Sequence, residues 1–207
     1  MPEKAAFLSF LIAALLLNLA PGPDMMYVLG RSMGQGRRAG VVSALGIFLG
    51  CLFHLFAAAL GLAALLRSSP ALFHVVRLAG AGYLIYLGIK LLLQAHSQLQ
   101  GVAPRSDTLR RIFLQGVVTN VLNPKVAIFF VAFLPQFVDP RGSIVVQILL
   151  LGMIFDIGGT LVNLGVALAA GGLGDRLARN QRVLQWQRRL TATLFVGLGL
   201  RVAFARR

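Results

Sequence analysis

The length of the apolar runs constrains this chain more than any other feature. Residues 41–66 carry no formal charge, and residues 142–174 carry only Asp156. Hydrophobic residues make up 57% of the chain and charged residues 13%, about half the charged share of a soluble domain. A single compact domain of 207 residues cannot bury that much apolar surface. A helix of about 20 apolar residues crosses a bilayer, so we predict an all-α integral membrane protein.

The apolar runs predict about six transmembrane helices. They fall at about residues 5–29, 40–66, 71–93, 112–138, 143–170 and 190–204. A polar connector, residues 96–111, separates halves of about 1–95 and 112–207, and we treat the whole chain as one transporter domain. Because each half holds three spans, the second half should be inverted relative to the first.

The net charge of +14 raises the question of a nucleic-acid partner. Most Lys and Arg residues lie in connectors between apolar tracts, without a continuous basic stripe or interleaved aromatic residues, so we exclude that partner. Alternate connectors carry eleven basic residues on one side and five on the other. Since cytoplasmic loops are enriched in Lys and Arg, both termini are predicted to lie outside.

The first span contains a helix break, the Pro21-Gly22-Pro23 motif. Two prolines remove backbone donors, and carbonyls freed in hydrocarbon cost several kcal/mol each unless another group satisfies them. Asp24 follows immediately, and a carboxylate at a helix centre costs about 2.5–3.5 kcal/mol on insertion scales. A carboxylate that is unfavourable in lipid, next to a helix break that is also unfavourable there, predicts a binding site. The alternative is a kinked helix in which Asp24 lies at the cytoplasmic interface, paired with Arg31 or Arg38.

The fourth span contains a second break, with Asn120 followed by the Asn123-Pro124-Lys125 motif. Asn123 is suited to cap the helix that restarts at Pro124. Three roles are open for the Lys125 ammonium. It pairs with Asp24, or meets a substrate carboxylate, or snorkels to the cytoplasmic surface. Broken helices in both halves are typical of inverted-repeat transporters, whose exposed helix ends bind substrate and coupling ion. Aligning the two breaks also places Asn18 near Asn120.

The fifth span contributes Asp156, predicted to face the protein interior or water. Its carboxyl group either takes up a proton in coupling or holds Lys125 in a structural pair. Asn163, two turns later, is predicted to share its face. His54 suits a proton relay, although a hydrogen-bonded packing role is the simpler interpretation. Cys51 is the single cysteine, so neither an intramolecular disulfide nor a multi-cysteine metal site is possible. Cys51 and His54 share a helix face but supply only two ligands, and we predict no metal site and no cofactor.

Motifs of the common enzyme classes are missing from the sequence. It has no nucleophile elbow, Walker loop, dinucleotide fingerprint or metalloprotease motif. We therefore predict a protein that is not an enzyme and that draws energy from ion or substrate gradients, or from a partner. A channel or passive facilitator for small solutes is the alternative. A membrane-embedded enzyme is a further class left open, although Asp24, Asp156 and His54 form no recognisable triad or metal set.

Two segments carry a family resemblance. The first is Asn18-Leu19-Ala20-Pro21-Gly22-Pro23-Asp24, followed by Gly30-Arg31 and Gly36-Arg37-Arg38-Ala39-Gly40. The second is residues 116–138, with Asn120, Asn123-Pro124-Lys125 and Phe129. Both resemble signatures of the LysE/RhtB amino-acid exporter family, and the Pro-Gly-Pro form is closer to its homoserine/threonine/leucine branch.

The resemblance implies a bacterial inner-membrane, multi-pass exporter of amino acids or close derivatives, driven by proton exchange and homodimeric. We expect transport by alternating access through a central site. Asp24 would hold the substrate ammonium or a proton, while Lys125 and helix N-terminal amides would receive the carboxylate. The substrate- and ion-binding residues are predicted to be Asn18, Pro21, Gly22, Pro23, Asp24, Asn120, Asn123, Pro124, Lys125 and Asp156.

Overall fold

The computed structural model describes residues 4–68, 70–93, 106–139, 141–169 and 181–204, and within these ranges the chain is helical and has no strand. The helices in these ranges are α1 (Lys4–Leu19), α2 (Pro23–Gln35), α3 (Arg37–Ser68), α4 (Pro70–Leu93), α5 (Leu109–Val121), α6 (Pro124–Ile128), α7 (Ile144–Ala169) and α8 (Gln181–Phe204). A π-helical turn, Phe129–Phe133, and a 3₁₀ turn, Leu134–Phe137, extend α6. The all-α prediction is confirmed.

Membrane-spanning character is clearest in two helices. Arg37–Gly61 within α3 and Ile144–Ala169 have mean hydropathies of 2.2 and 2.1 and are long enough to cross a bilayer. Two further helix pairs, Ala6–Leu19 with Pro23–Gln35 and Leu109–Val121 with Pro124–Phe137, are each bent by 45°. Counting each pair as one span gives up to four among the described residues. The predicted third and sixth spans fall in α4 and α8.

The exposed surface of these helices is apolar, as expected for a protein that faces lipid. On α3, Phe53, Phe56 and Leu60 are 60%, 53% and 71% exposed, and Leu161 on α7 is 64% exposed. Soluble monomers rarely expose apolar surface so continuously. The chain is therefore a multi-pass membrane protein.

Both predicted helix breaks are present. Helix α1 ends at Leu19, Gly22 is extended, and Pro23 begins α2 at a position where its missing N–H costs nothing. Likewise α5 ends at Val121 and Pro124 begins α6. The Asn123 side chain accepts a hydrogen bond from the backbone N–H of Lys125 at 3.0 Å, which confirms the predicted cap.

Helices α3 and α5 approach each other closely enough that their backbones touch. A Cβ atom on Gly46 would lie 2.2 Å from the carbonyl oxygen of Phe113 and 3.2 Å from the Cα atom of Gly116. In lipid, such close approach supplies much of the packing between helices. It also places Asn120 at the end of α5 against the middle of α3, where His54 lies.

One end of the bundle brings together segments that the charge pattern assigns to one side of the membrane. Arg31 in α2 pairs with Asp107, just before α5, at 2.7 Å. At the start of α3, Gly40 lies against Ser32 and Ala167, the latter near the end of α7. Residues 94–105 and 170–180, within or beside the predicted connectors, lie outside the described part. The inverted arrangement of the two halves stays a prediction.

Candidate functional site

A polar cavity lies where the two helix breaks meet. Seven of its lining residues are polar or charged, namely Asn18, Asp24, Asn120, Lys125, Asp156, Thr160 and Asn163. The other six are Met25, Ile47, Cys51, Val126, Phe155 and Gly159. The space that the centre of a water molecule can reach is about 30 Å³. Since one water needs roughly 10–15 Å³ by this measure, the cavity as it stands holds about two.

Asp24 and Asn120 join the two breaks directly. The side-chain amide of Asn120 donates to one carboxylate oxygen of Asp24 at 2.9 Å, and both side chains are buried. Asp24 Oδ1 and Asn120 Oδ1 have no hydrogen-bond partner in the described part of the chain. Asp24 is buried and forms no ion pair among the described residues, and Arg31 pairs with Asp107. The alternative in which Asp24 lies at an interface and pairs with Arg31 or Arg38 is therefore wrong.

Lys125 binds the broken end of α1. Its ammonium donates to the carbonyl oxygens of Leu17 at 3.2 Å and Ala20 at 2.9 Å. The residue is 8% exposed, so it does not snorkel to a surface. Among the described residues, no carboxylate lies within ion-pair distance of this ammonium. Because an ammonium has three donors, one N–H remains beyond these two bonds.

Helix α7 supplies the opposite wall of the cavity. Asp156 is 3% exposed, and its Oδ2 atom, like Oγ1 of Thr160, has no hydrogen-bond partner within the described residues. Asn163 lines the same cavity, which confirms that it shares a helix face with Asp156. Thr160 was missed by the sequence analysis, although its position one turn after Asp156 places it on that face.

Asn18 fixes α1 against α7. Its side-chain amide donates to the backbone oxygen of Phe155 at 3.0 Å. A Cβ atom on Gly159 would lie 2.9 Å from Asn18 Oδ1, and one on Gly158 would lie 3.2 Å from Asn18 Nδ2. The glycine pair therefore provides the room that Asn18 occupies beside the cavity.

His54 lies behind the cavity wall. Its Nε2 atom is 3.0 Å from the backbone oxygen of Asn120, and its ring stacks on Phe130 with centroids 6.3 Å apart. These contacts support the packing role rather than the proton relay. The stacked rings of Phe129 and Phe155, 3.8 Å apart, hold the π-helical turn against α7 beside the cavity.

Of the ten residues predicted for the site, five line the cavity: Asn18, Asp24, Asn120, Lys125 and Asp156. The other five, Pro21, Gly22, Pro23, Asn123 and Pro124, form the breaks that shape it. The apolar lining residues were missed, because an apolar residue in an apolar helix gives no local signal of its partners. No group of three or more potential metal ligands occurs among the described residues.

The sequence was compared with known protein families. A family model described as LysE type translocator matches residues 15–206. The chain belongs to the LysE type translocator family. This match confirms the resemblance of the two signature segments, and it covers both helix breaks and the cavity.

Curated relatives of the chain include proteins named leucine efflux protein. The one from Salmonella choleraesuis (strain SC-B67) is 36% identical over 132 residues, covering 63% of this chain and 62% of the relative. Those from Enterobacter sp. (strain 638) and Klebsiella pneumoniae subsp. pneumoniae are 36% and 35% identical over 64% of this chain, covering 64% and 63% of the relatives. The alignments thus span less than two thirds of the relatives' length. No solved structure matches the chain.

Proposed function

We propose that the protein is a secondary active exporter of amino acids or close derivatives across the bacterial inner membrane, and that it leaves its substrate chemically unchanged. The observation that carries the proposal is a set of cavity oxygens that have no hydrogen-bond partner among the described residues, on Asp24, Asn120, Asp156 and Thr160. An unsatisfied buried polar group costs about 1–3 kcal/mol, and more when it is charged. A polar ligand that completes these hydrogen bonds would remove that cost.

The cavity offers partners for both charges of an amino acid. The ammonium group of the substrate would bind Oδ1 of Asp24 and Oδ1 of Asn120. The N-cap residue of α2 is Gly22, which has no side chain to cap the helix. The first backbone N–H groups of α2 are therefore suited to receive the substrate carboxylate. The remaining N–H of Lys125 would contribute to the same carboxylate.

The apolar lining supports an amino acid with an apolar side chain. Met25, Ile47, Val126 and Phe155 stand beside the polar groups, and burial of a leucine-sized side chain is worth about 1.5–3 kcal/mol. The curated relatives carry the name leucine efflux protein. Leucine is therefore the first substrate to test.

The small free volume supports alternating access rather than an open channel. Space for about two waters does not admit an amino acid, so the spans must separate for substrate to enter. The two helix breaks, each bent by 45°, are the points at which the spans would bend in such a movement. A permanently open channel would need a continuous water-filled path at this depth.

Proton coupling is assigned to Asp156. This carboxyl group is buried at the cavity wall, and no cation pairs with it among the described residues. An ionised carboxylate without a cation partner is unfavourable in that position, and binding a proton neutralises its charge. If the protein alternates between a state with a proton on Asp156 and a state with bound substrate, export is coupled to the proton gradient.

Counterflow in proteoliposomes tests the proposal. Vesicles with the purified protein are preloaded with one unlabelled amino acid at a time, and uptake of labelled leucine is followed with and without a pH gradient. Accelerated uptake with leucine-like substrates, changed by the gradient, is expected. No exchange across the panel, with the protein folded and inserted, would refute amino-acid transport. Cross-linking in the same vesicles would test the homodimer implied by the resemblance.

A further inference from the structure

The carbonyl group of Leu17 loses its helical partner because of the sequence that follows it. In an α-helix this oxygen would accept from the residue four positions later, which is Pro21 and has no N–H. The end of α1 also carries the negative end of the helix dipole. The break therefore leaves an electronegative site of backbone carbonyls, formed by Leu17 and Ala20 and buried within the protein.

Lys125 fills this site with its own ammonium. The two carbonyl oxygens lie 3.2 and 2.9 Å from Nζ, ordinary distances for N–H···O bonds. The side chain reaches them by passing over Gly22, where a Cβ atom would lie 3.2 Å from Nζ and 3.4 Å from Cε. Lys125 is 8% exposed, so water does not replace these contacts.

In transporters with broken helices, carbonyls at such half-helix ends coordinate the coupling cation. We propose that the end of α1 is a monovalent-cation site occupied by a tethered cation, the Lys125 ammonium. The wild-type protein then needs no dissolved cation there. Removing the side-chain charge opens the site to Na⁺ or a small alkylammonium ion. The effect on transport, though not the cation site itself, rests on the proposed amino-acid exchange.

The first test uses the wild-type protein. Leucine counterflow and the thermal unfolding midpoint in detergent are measured in sodium, potassium and choline chloride at equal ionic strength. We expect both quantities to be the same in the three salts, because the tethered ammonium already occupies the site. A requirement of the wild type for Na⁺ or K⁺ would overturn the proposal.

The second test uses Lys125→Met, which retains an apolar stem, and Lys125→Ala, which leaves more space. In choline, both should exchange leucine at least about tenfold more slowly, the effect of losing roughly 1.4 kcal/mol. Sodium or methylammonium should restore part of the rate. Without any amino acid, the same ions should raise the unfolding midpoint of the variants by about 2–4 °C. Lys90→Met is the matched control, because Lys90 is exposed on α4.

The midpoint measurement separates this proposal from a role of Lys125 in holding the substrate carboxylate. If exchange is lost and no cation changes the unfolding midpoint, Lys125 is not a tethered cation, while wild-type counterflow still decides the proposed function. Where the wild type exchanges leucine, unchanged exchange of the variants in choline would overturn the claim that transport needs a cation at this site. Aggregation of both variants in every salt would overturn the cation site, since free cations then fail to replace the ammonium.

Discussion

Asn120 donates its side-chain amide to the carboxylate of Asp24 across 2.9 Å. This hydrogen bond connects the first turn of α2 to the last turn of α5, residues separated by 96 positions in the chain. The two broken spans therefore meet at one point, and each contributes an oxygen there that has no hydrogen-bond partner in the described part of the chain.

Replacing Asp24 by asparagine removes the charge that the proposal assigns to the substrate ammonium. A hydrogen bond to a charged group is worth about 1.5–3 kcal/mol, so leucine counterflow should fall by about 10- to 100-fold. The control is Asp139→Asn, a half-buried carboxylate that pairs with the exposed Arg141. Exchange within twofold of the wild type in folded Asp24→Asn would refute this role of Asp24.

A methyl group on Gly159 should displace Asn18 from the cavity wall. The added Cβ atom would lie 2.9 Å from Asn18 Oδ1, and the Asn18 bond to Phe155 would be strained. We expect slower counterflow for Gly159→Ala, mainly through weaker apparent affinity for leucine. Gly165→Ala on the same helix is the control, because a Cβ atom there meets nothing within 4 Å. Equal kinetics for the two variants would show that Asn18 placement is unimportant.

Gly46→Ala should destabilise the α3–α5 contact. Its Cβ atom would lie 2.2 Å from the backbone oxygen of Phe113, and the backbone cannot move aside as a flexible side chain would. Overpacking of this kind costs about 1–3 kcal/mol. The unfolding midpoint in detergent should drop, whereas Gly61→Ala on the same helix has open space and should leave it unchanged. A midpoint equal to that of the control would contradict the close approach.

Near the C-terminal end of α2, the ion pair of Asp107 with Arg31 should stabilise the fold more than the ion pair of Asp107 with Arg111. Both pair with Asp107, at 2.7 and 3.2 Å, but their side chains are 8% and 69% exposed. Arg31→Ala should lower the free energy of unfolding by about 1.5–3 kcal/mol. Arg111→Ala should lower it by less than about 1 kcal/mol, because water and salt screen exposed pairs. Chemical denaturation of the two variants would measure the difference, and equal losses would contradict it.

Much of the fold could be predicted from the sequence, because the free-energy costs of placing polar groups in lipid belong to single residues or short segments. Uncharged runs long enough to cross a bilayer, prolines within them and carboxylates beside those prolines are visible without a structure. They predicted the membrane class, both helix breaks and the polar residues of the cavity other than Thr160. Helix bounds were less accurate, since α2 continues to Gln35 and α5 begins at Leu109.

The partner of each polar group was decided by the tertiary structure. Three roles were open for Lys125, and its observed bonds to Leu17 and Ala20 reach across more than 100 positions of the chain. The apolar wall at Met25, Ile47 and Phe155 likewise depends on how α2, α3 and α7 pack. A sequence shows which charged residues in hydrocarbon need a partner, because the free-energy cost of leaving a charge unpaired there belongs to the residue itself. Which partner it finds depends on the packing of helices distant in sequence, and so only the folded chain determines it.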